Sequence, residues 1–236
     1  MNKEGINKKK YKDWLKENNT YEDWLITFKN ATSDEVWDKF KYDLPEEYKT
    51  EEICLIVVKK YDFVFRYLLE KHKTPEVCRV AVETWGRALE YVPEEHKTKE
   101  MCVAAVKKYG KNLRYVLEEH KNLDMCRDAV EDCESSLEFV PEEYKTKDIC
   151  LFSVKENHNP NLRYVPEEHK TKEMCWVAVN ANYHNLEFVP EEHKNLEMCL
   201  SVIERVEFEY EYEAHAIEEY KRILKFVPKE ILVKIF

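Results

Sequence analysis

The sequence predicts an all-α protein built as a helical-repeat solenoid, right- or left-handed, with about seven helix-turn-short-helix units between N- and C-terminal caps. Cysteines recur at intervals of 24, 24, 24, 24, 25 and 24 residues: Cys54, Cys78, Cys102, Cys126, Cys150, Cys175 and Cys199. A fixed period of this size is typical of one supersecondary unit stacked on copies of itself. Apolar or small residues also hold positions −1, 0, +3 and +4 around each cysteine, which indicates a helix face and not a strand.

The repeat around Cys102 shows the expected elements in order. Its helix is predicted to begin after an N-cap at Thr98, and a threonine or asparagine holds this place in the other repeats: Thr50, Thr74, Asn122, Thr146, Thr171 and Asn195. Gly110 is expected to end the helix. A shorter helical segment then carries Leu113, and a residue such as Pro93 starts a turn where its missing N–H costs nothing. Such a hairpin buries its apolar face only against neighbouring repeats.

Three regions follow from the span of the repeat. Residues 43–212 hold the seven-repeat array, residues 1–42 are expected to form an N-terminal helical cap, and residues 213–236 a C-terminal cap with a partial repeat. The N-terminal region carries Trp14, Trp24 and Trp37. No Gly/Ser/Pro-rich linker interrupts the chain, so we expect one continuous domain. At the C-terminal end, an apolar group offers an alternative surface for self-association: Ile231, Leu232, Val233, Ile235 and Phe236.

The repeat resembles a known family. Its leucine, aromatic residue, small residue or proline, two glutamates and lysine, followed by a helix with an alanine-valine pair, are similar to tandem α-helical repeats known only as a domain of unknown function. Those repeats occur in giant viruses, protists and some low-GC bacteria. The resemblance covers roughly residues 43–212. It implies the fold and no active site, because the matching positions are packing and capping residues.

One charged position shows a longer period, of two repeats. The residue twelve or thirteen positions after each cysteine alternates in sign: Arg66, Glu90, Arg114, Glu138, Arg163 and Glu187. We expect adjacent repeats to place these opposite charges side by side. Exposed ion pairs contribute only about 0–1 kcal/mol each, so the alternation favours correct register more than stability, and a pair of repeats is the expected building block.

Metal and disulfide chemistry are not expected. The repeating cysteines lie about one repeat apart at a buried helix position, so we predict free thiols in a reducing compartment. Five histidines precede a cysteine by six residues, but the paired ligand spacings of zinc sites are missing. We therefore expect ring packing and neither metal nor cofactor at this position, which holds His72, His96, His120, His169 and His193, with Tyr48 and Tyr144 in two repeats.

Catalysis is also not expected. The Pro-Glu-Glu pairs recur too often to be catalytic carboxylates, and acidic residues at helix starts are explained by the helix dipole. No Gly-rich phosphate loop, nucleophile elbow or Ser/His/Asp arrangement is present. The sequence therefore predicts a protein that is not an enzyme, and function should be sought where the repeat is broken.

One such break follows the cysteine in the even-numbered repeats, which carry Arg79, Arg127 and Trp176 where the others have an aliphatic residue. Tryptophan and arginine are favoured anchors in protein interfaces, so this position is the leading candidate contact; the alternative is an edge that packs on the paired repeat. A second candidate set lies at helix ends or loops: Trp85, Lys107, Lys108, Lys111, His158 and His184.

The net charge is −10 and is spread along the repeats. Direct nucleic-acid binding is disfavoured, because phosphate contact requires a basic stripe. A lysine recurs before each cap, but flanking glutamates indicate a solvated, mixed-charge face: Lys49, Lys73, Lys97, Lys121, Lys145, Lys170 and Lys194. No apolar run reaches the roughly 20 residues of a membrane span, and the first residues lack a signal peptide's apolar centre. We expect a cytoplasmic protein, in the host cytoplasm if viral.

Two functional hypotheses fit this sequence. The first is a non-enzymatic scaffold that binds a protein partner along the solenoid surface. The second is an acidic inhibitor or anti-defence factor, from a virus or mobile element, that occludes a nuclease or another nucleic-acid-binding enzyme by charge mimicry. The two hypotheses differ in the salt dependence of binding that they predict.

Overall fold

The computed structural model describes residues 20–30, 39–155, 159–209 and 216–235. All regular elements in these ranges are helices, and α-helices alternate with short 3₁₀ segments at the predicted period, which confirms the helical-repeat fold class. The chain divides into two compact halves, Met1–His120 and Lys121–Phe236. Within the described ranges, no helix has both the length and the apolar character that crossing a bilayer requires.

The described part of the N-terminal half contains four α-helices: α1 Tyr21–Asn30, α2 Glu51–Lys60, α3 Pro75–Thr84 and α4 Lys99–Lys108. Each packs against the next in chain order. Helix α1 buries Trp24 and Phe28, whose rings stack with centroids 6.1 Å apart. Helix α1 packs on α2, the first repeat helix, whereas Trp14 and Trp37 lie outside the described residues.

The C-terminal half continues the same pattern with six described α-helices: α5 Leu123–Asp132, α6 Lys147–Lys155, α7 Lys172–Ala181, α8 Leu196–Glu209, α9 Ala216–Leu224 and α10 Lys229–Ile235. Helices α5 to α8 pack in chain order, and both α9 and α10 pack on α8. Of the apolar C-terminal residues, Ile231 is buried in this packing and Val233 is 82% exposed. Phe236 lies outside the described residues.

Side-chain caps begin the repeat helices where the sequence predicted them. The threonine or asparagine oxygen accepts a hydrogen bond from the backbone N–H three residues later, at 2.9–3.4 Å, in all seven repeats. These bonds satisfy one of the free N–H groups of each first turn. The cap predictions at Thr50, Thr74, Thr98, Asn122, Thr146, Thr171 and Asn195 are therefore confirmed.

In the first six repeats the shorter segment is a 3₁₀ helix, followed by a three-residue 3₁₀ turn. The predicted role of Gly110 as the helix end is wrong. Helix α4 ends at Lys108, the extended Tyr109 (φ −161°, ψ 109°) makes the break, and Gly110 already begins the 3₁₀ helix. An extended residue redirects the chain here, so no left-handed glycine is needed. The longer 3₁₀ helices are Asp62–Tyr67, Gly86–Tyr91, Gly110–Tyr115, Glu134–Phe139, Asn161–Tyr164 and Tyr183–Phe188.

Gly86 is required by a close approach rather than by backbone freedom. A Cβ at this position would lie 2.9 Å from the Cβ of Lys108 and 3.3 Å from the carbonyl oxygen of Ala105. Both contacts belong to α4, so the 3₁₀ helix that starts at Gly86 touches the backbone of the next repeat. A side chain of any size at residue 86 would push α4 away.

The repeating cysteines are fully buried, as predicted. Burial raises the pKa of the Cys54, Cys78 and Cys150 thiols to about 12. It raises the pKa of Cys102, Cys175 and Cys199 to about 11. At neutral pH these side chains are therefore neutral, small apolar groups that fill the layer between repeats.

The lysine row was predicted to lie on a solvated face, and this prediction is wrong. Its central members are only 6–8% exposed: Lys73, Lys121, Lys145 and Lys170. The ammonium pairs with the glutamate three residues earlier, at 2.5–3.0 Å, at these positions: Lys49–Glu46, Lys73–Glu70, Lys145–Glu142, Lys170–Glu167 and Lys194–Glu191. The Nζ of Lys97 instead donates to the Tyr115 carbonyl oxygen at 3.1 Å. The aliphatic stem fills the corner of the repeat while the charge stays compensated.

Buried asparagines add a second polar contact inside the repeats. The Asn185 Nδ2 donates to the Ala178 carbonyl oxygen at 2.8 Å, and its Oδ1 accepts from the Leu162 N–H at 3.0 Å in the preceding repeat. Asn112 and Asn161 donate in the same way to the carbonyl oxygens of Ala105 and Ser153. The amide thereby satisfies a carbonyl near the end of its own helix and, at Asn185, an N–H of the neighbouring repeat.

Candidate functional site

Arg79, the first member of the predicted contact set, lies on α3 in the N-terminal half. Its guanidinium is half-exposed and pairs with Glu76 at 2.6 Å and with Glu83 one turn further on. Both partners are on the same helix. The side chain is therefore held along α3, and its charge is already compensated within the repeat.

The other two members of the set lie in the C-terminal half. Arg127 on α5 and Trp176 on α7 hold the same repeat position, one residue after the cysteine. Arg127 is exposed and pairs with Asp124 at 3.3 Å, while Trp176 is partly exposed. Between these helices, α6 presents Phe152, which is 38% exposed. We call Arg127, Phe152 and Trp176 the exposed row.

A cleft of about 200 Å³ opens beside the exposed row, between α5 and α6. Val130 and Ile149 are buried and form its floor, and Phe152 forms an apolar wall. Arg127, Glu131 and Asp148 complete the lining with charged groups. The cleft thus combines an apolar interior with a charged rim.

The rim is predominantly acidic. Asp124 already holds the Arg127 guanidinium, whereas Glu131 and Asp148 are exposed and have no ion-pair partner within 4 Å among the residues that the structure describes. Helix α5 is acidic over its whole length: besides Arg127, its charged residues are Asp124, Asp128, Glu131 and Asp132. A cationic group would therefore find uncompensated negative charge at the mouth of this cleft.

The second candidate set is divided between structural contacts and exposed positions. The Trp85 ring stacks on Tyr91 at 6.1 Å, the Lys108 ammonium donates to the Glu83 carbonyl oxygen, and His184 Nδ1 lies 3.4 Å from Glu219 Oε1 on α9. Three of these residues therefore hold neighbouring elements together. Lys107 is exposed, Lys111 is partly exposed, and His158 lies outside the described residues.

Two of the predicted charge pairs do not form. No ion pair joins Arg66 to Glu90, or Arg163 to Glu187, in the described part of the chain. The Arg66 guanidinium lies 4.5 Å from the Tyr67 ring centroid, and that of Arg163 lies 4.9 Å from the ring of Phe188 in the next repeat. At these two arginines, cation–π contacts with aromatic rings replace the expected ion pairs.

Glu90 of this alternation also lies among aromatic side chains. Burial raises the pKa of the Tyr115 hydroxyl, and the Glu90 carboxylate beside it raises that pKa further. Tyr115 belongs to the repeat that follows Glu90. Aromatic side chains therefore separate the alternating charges and join neighbouring repeats.

The histidine position forms contacts between repeats. His72 Nε2 lies 2.7 Å from Glu46 Oε1, and His120 Nε2 lies 2.9 Å from the Lys97 carbonyl oxygen, both partners belonging to the preceding repeat. Packing and hydrogen bonding therefore explain these two rings. Among the described residues, no group of three or more His, Cys, Asp or Glu side chains is arranged to hold a metal ion.

Of the six residues that line the cleft, Arg127 was predicted as a site residue and the other five were not. Phe152 carries a detectable signal, because no other repeat has an aromatic residue two positions after its cysteine. Glu131 and Asp148 follow no such pattern, since they belong to different repeats and their proximity depends on how α5 packs on α6.

Comparison with known proteins identifies one family. Residues 74–121, 98–145 and 146–212 each match the family "Domain of unknown function (DUF4116)", and together these windows cover more than half of the chain. They coincide with the repeats and the exposed row, and the family description assigns no activity. No curated protein and no solved structure matches the chain.

Proposed function

We propose that this chain, which belongs to the DUF4116 family, is a non-enzymatic scaffold that binds a protein partner through its helical repeats. The observation that carries the proposal is the exposed row of Arg127, Phe152 and Trp176 beside an open cleft. Aromatic residues and arginine dominate the binding energy of many protein interfaces, particularly around pockets. Here they lie on three successive helices, so one partner can contact several repeats at once.

The buried thiols are poor candidates for catalytic nucleophiles, which favours a binding role over a catalytic one. Cysteine acts as a nucleophile through its thiolate, and burial raises the pKa of Cys78 to about 12. Burial also raises the pKa of these thiols: Cys54, Cys102, Cys150, Cys175 and Cys199. The buried thiols therefore serve to pack the interior, and a partner protein binds to the exposed surface of the repeats.

A random-peptide phage library panned on the purified chain tests the proposal. We expect enriched peptides whose affinity falls about tenfold or more when the exposed row, Arg127, Phe152 and Trp176, is replaced by alanine, with an unchanged circular dichroism spectrum. The single change Arg79→Ala is the matched control from the N-terminal half, and we expect it to change affinity little because two carboxylates of its own helix, Glu76 and Glu83, hold the guanidinium. An absence of enriched peptides, or equal binding to the triple variant, would argue against the scaffold.

The narrower hypothesis of an acidic inhibitor is motivated by the net charge of −10. It requires binding to a basic channel of a nucleic-acid enzyme, and such binding should disappear at about 0.5 M salt, where screening acts over a few ångströms. A purified basic nuclease with and without the chain, assayed at low and high salt, tests it. Binding that persists at high salt contradicts charge mimicry and agrees with the scaffold.

A further inference from the structure

The size of the α5–α6 cleft indicates what kind of group it holds. At about 200 Å³ it is smaller than typical small-molecule sites, which occupy about 300–1,000 Å³. A single long side chain from another protein matches this volume better than a cofactor does. The floor of Val130 and Ile149 offers apolar contact to the stem of such a side chain.

The charges at the mouth select among long side chains. A purely apolar side chain would remove Glu131 and Asp148 from water without supplying a partner for either carboxylate. A basic side chain instead lays its methylene groups on the apolar floor and places its cation at the rim. Arg127 does not supply that cation, because Asp124 holds its guanidinium at 3.3 Å.

Phe152 distinguishes arginine from lysine. A planar guanidinium stacks on an aromatic face and binds carboxylates with two hydrogen bonds at once, whereas an ammonium group does neither as well. The partly exposed ring of Phe152 and the carboxylates of Glu131 and Asp148 line the same cleft. The cleft therefore offers an arginine both kinds of contact.

We propose that the α5–α6 cleft is a subsite that receives an arginine side chain from a basic segment of the partner protein. The inference rests on the proposed scaffold function, and it names the chemistry of the partner at one place. It implies that the bound segment carries an arginine whose neighbours contact the exposed row.

The probe is N-acetyl-arginine amide, with N-acetyl-citrulline amide as the neutral analogue of nearly the same shape. Two-dimensional ¹H–¹⁵N spectra of the full chain are recorded during titration with each. We expect saturable shifts of amide signals in α5 and α6 with the arginine compound and none with citrulline. Equal shifts with both compounds, or arginine shifts scattered over the acidic surface, would overturn the proposal.

Two matched double variants separate the cleft from the general negative charge. Glu131→Gln with Asp148→Asn removes the two rim carboxylates, and Glu187→Gln with Glu197→Gln removes two exposed carboxylates elsewhere in the same half. We expect the apparent dissociation constant to rise about fivefold in the first variant and to stay unchanged in the second. Equal weakening in both variants would mean nonspecific attraction and would contradict the subsite.

The arginine titration and the peptide selection test different proposals, and either can give a negative result without the other. If the peptide selection enriches ligands that lack basic residues and the arginine compound causes no cleft shifts, the scaffold stands and the subsite is wrong. If the cleft binds the arginine compound but no peptide is enriched, the subsite stands as a binding property and the scaffold proposal loses its support.

Discussion

The Cys78 thiol donates a hydrogen bond to the Lys73 carbonyl oxygen at 3.3 Å, and the ammonium of the same lysine pairs with Glu70 at 2.8 Å. The same thiol-to-carbonyl contact, five residues back, recurs at Cys54, Cys150 and Cys175. The cysteine of each of these repeats thus joins the first turn of the α-helix to the corner that holds the buried lysine. This position needs a small, neutral side chain with a weak donor.

Thiol reactivity follows from this burial. Because the repeating thiols are buried, and burial raises the pKa of six of them, we expect iodoacetamide at pH 8 to modify the folded chain at Cys133 alone, the one partly exposed cysteine of the eight. Intact-mass spectrometry counts the adducts, and all eight thiols should react in denaturant. In Cys133→Ser the folded chain should remain unmodified. Rapid modification of a second thiol would contradict the burial of the repeating cysteines.

Glu46 gives the N-terminal half a dependence on acid. The Lys71 ammonium and the His72 ring lower the pKa of this carboxyl to about 2. The ion pairs therefore stabilise the fold above the ordinary glutamate pKa of about 4.5, and this stabilisation is lost as the pH falls towards 2. Because the side chain is 41% exposed, solvent screening limits the effect to about 1 kcal/mol or less.

Urea unfolding of the wild type and of Glu46→Gln at pH 7 and pH 3 measures this contribution. We expect the variant to be less stable at pH 7 and the difference to shrink at pH 3. If the difference in the free energy of unfolding grows on acidification, the ion pairs of Glu46 do not stabilise the fold as argued. Glu47→Gln is the matched control, because this exposed carboxylate in the same turn has no ion pair with any residue that the structure describes.

Gly86→Ala tests the close approach of two repeats. The added Cβ would lie 2.9 Å from the Lys108 Cβ, so we expect a loss of about 1–3 kcal/mol in the free energy of unfolding, measured by urea denaturation. Lys108→Gly removes the opposing Cβ and costs helix propensity by itself. The double variant should be more stable than the sum of the two changes predicts. Strict additivity would mean that this contact does not limit the packing.

Asn185→Ala tests the polar contact between repeats. The substitution leaves the Leu162 N–H and the Ala178 carbonyl oxygen without this partner, and we expect a loss of about 1–3 kcal/mol in the free energy of unfolding. Asn180→Ala on the exposed side of α7 should change it by about 0.5 kcal/mol or less. Amide exchange at Leu162 should accelerate in the first variant only. An unchanged stability would show that water replaces the amide at no cost.

Local signals in the sequence were sufficient for the α-helices. Thr98 and its equivalents cap a helix through an N–H three residues away, so their role is readable without knowing the tertiary structure. Burial of the cysteines was also predictable, because their periodicity with small residues defines one helix face.

The contacts that sequence reasoning missed depend on a neighbouring repeat or on a choice among several partners. The lysines looked solvated because glutamates flank them, yet Lys97 reaches the Tyr115 carbonyl oxygen eighteen residues on. Arg163 had a glutamate as the obvious partner and instead lies against the Phe188 ring. The cleft requires the packing of α5 on α6, and no pattern within one repeat contains that information.

The interval from Cys150 to Cys175 is one residue longer than the others, and its 3₁₀ helix, Asn161–Tyr164, has four residues instead of six. Leu162 is nevertheless fully buried, and Asn161 still donates to Ser153, now eight residues back where Asn185 reaches seven. The extra residue therefore lies between Ser153 and Asn161, and the buried contacts on either side of it are kept. Evolutionary insertions should accumulate between these two positions, and an engineer can graft a loop or an affinity tag there.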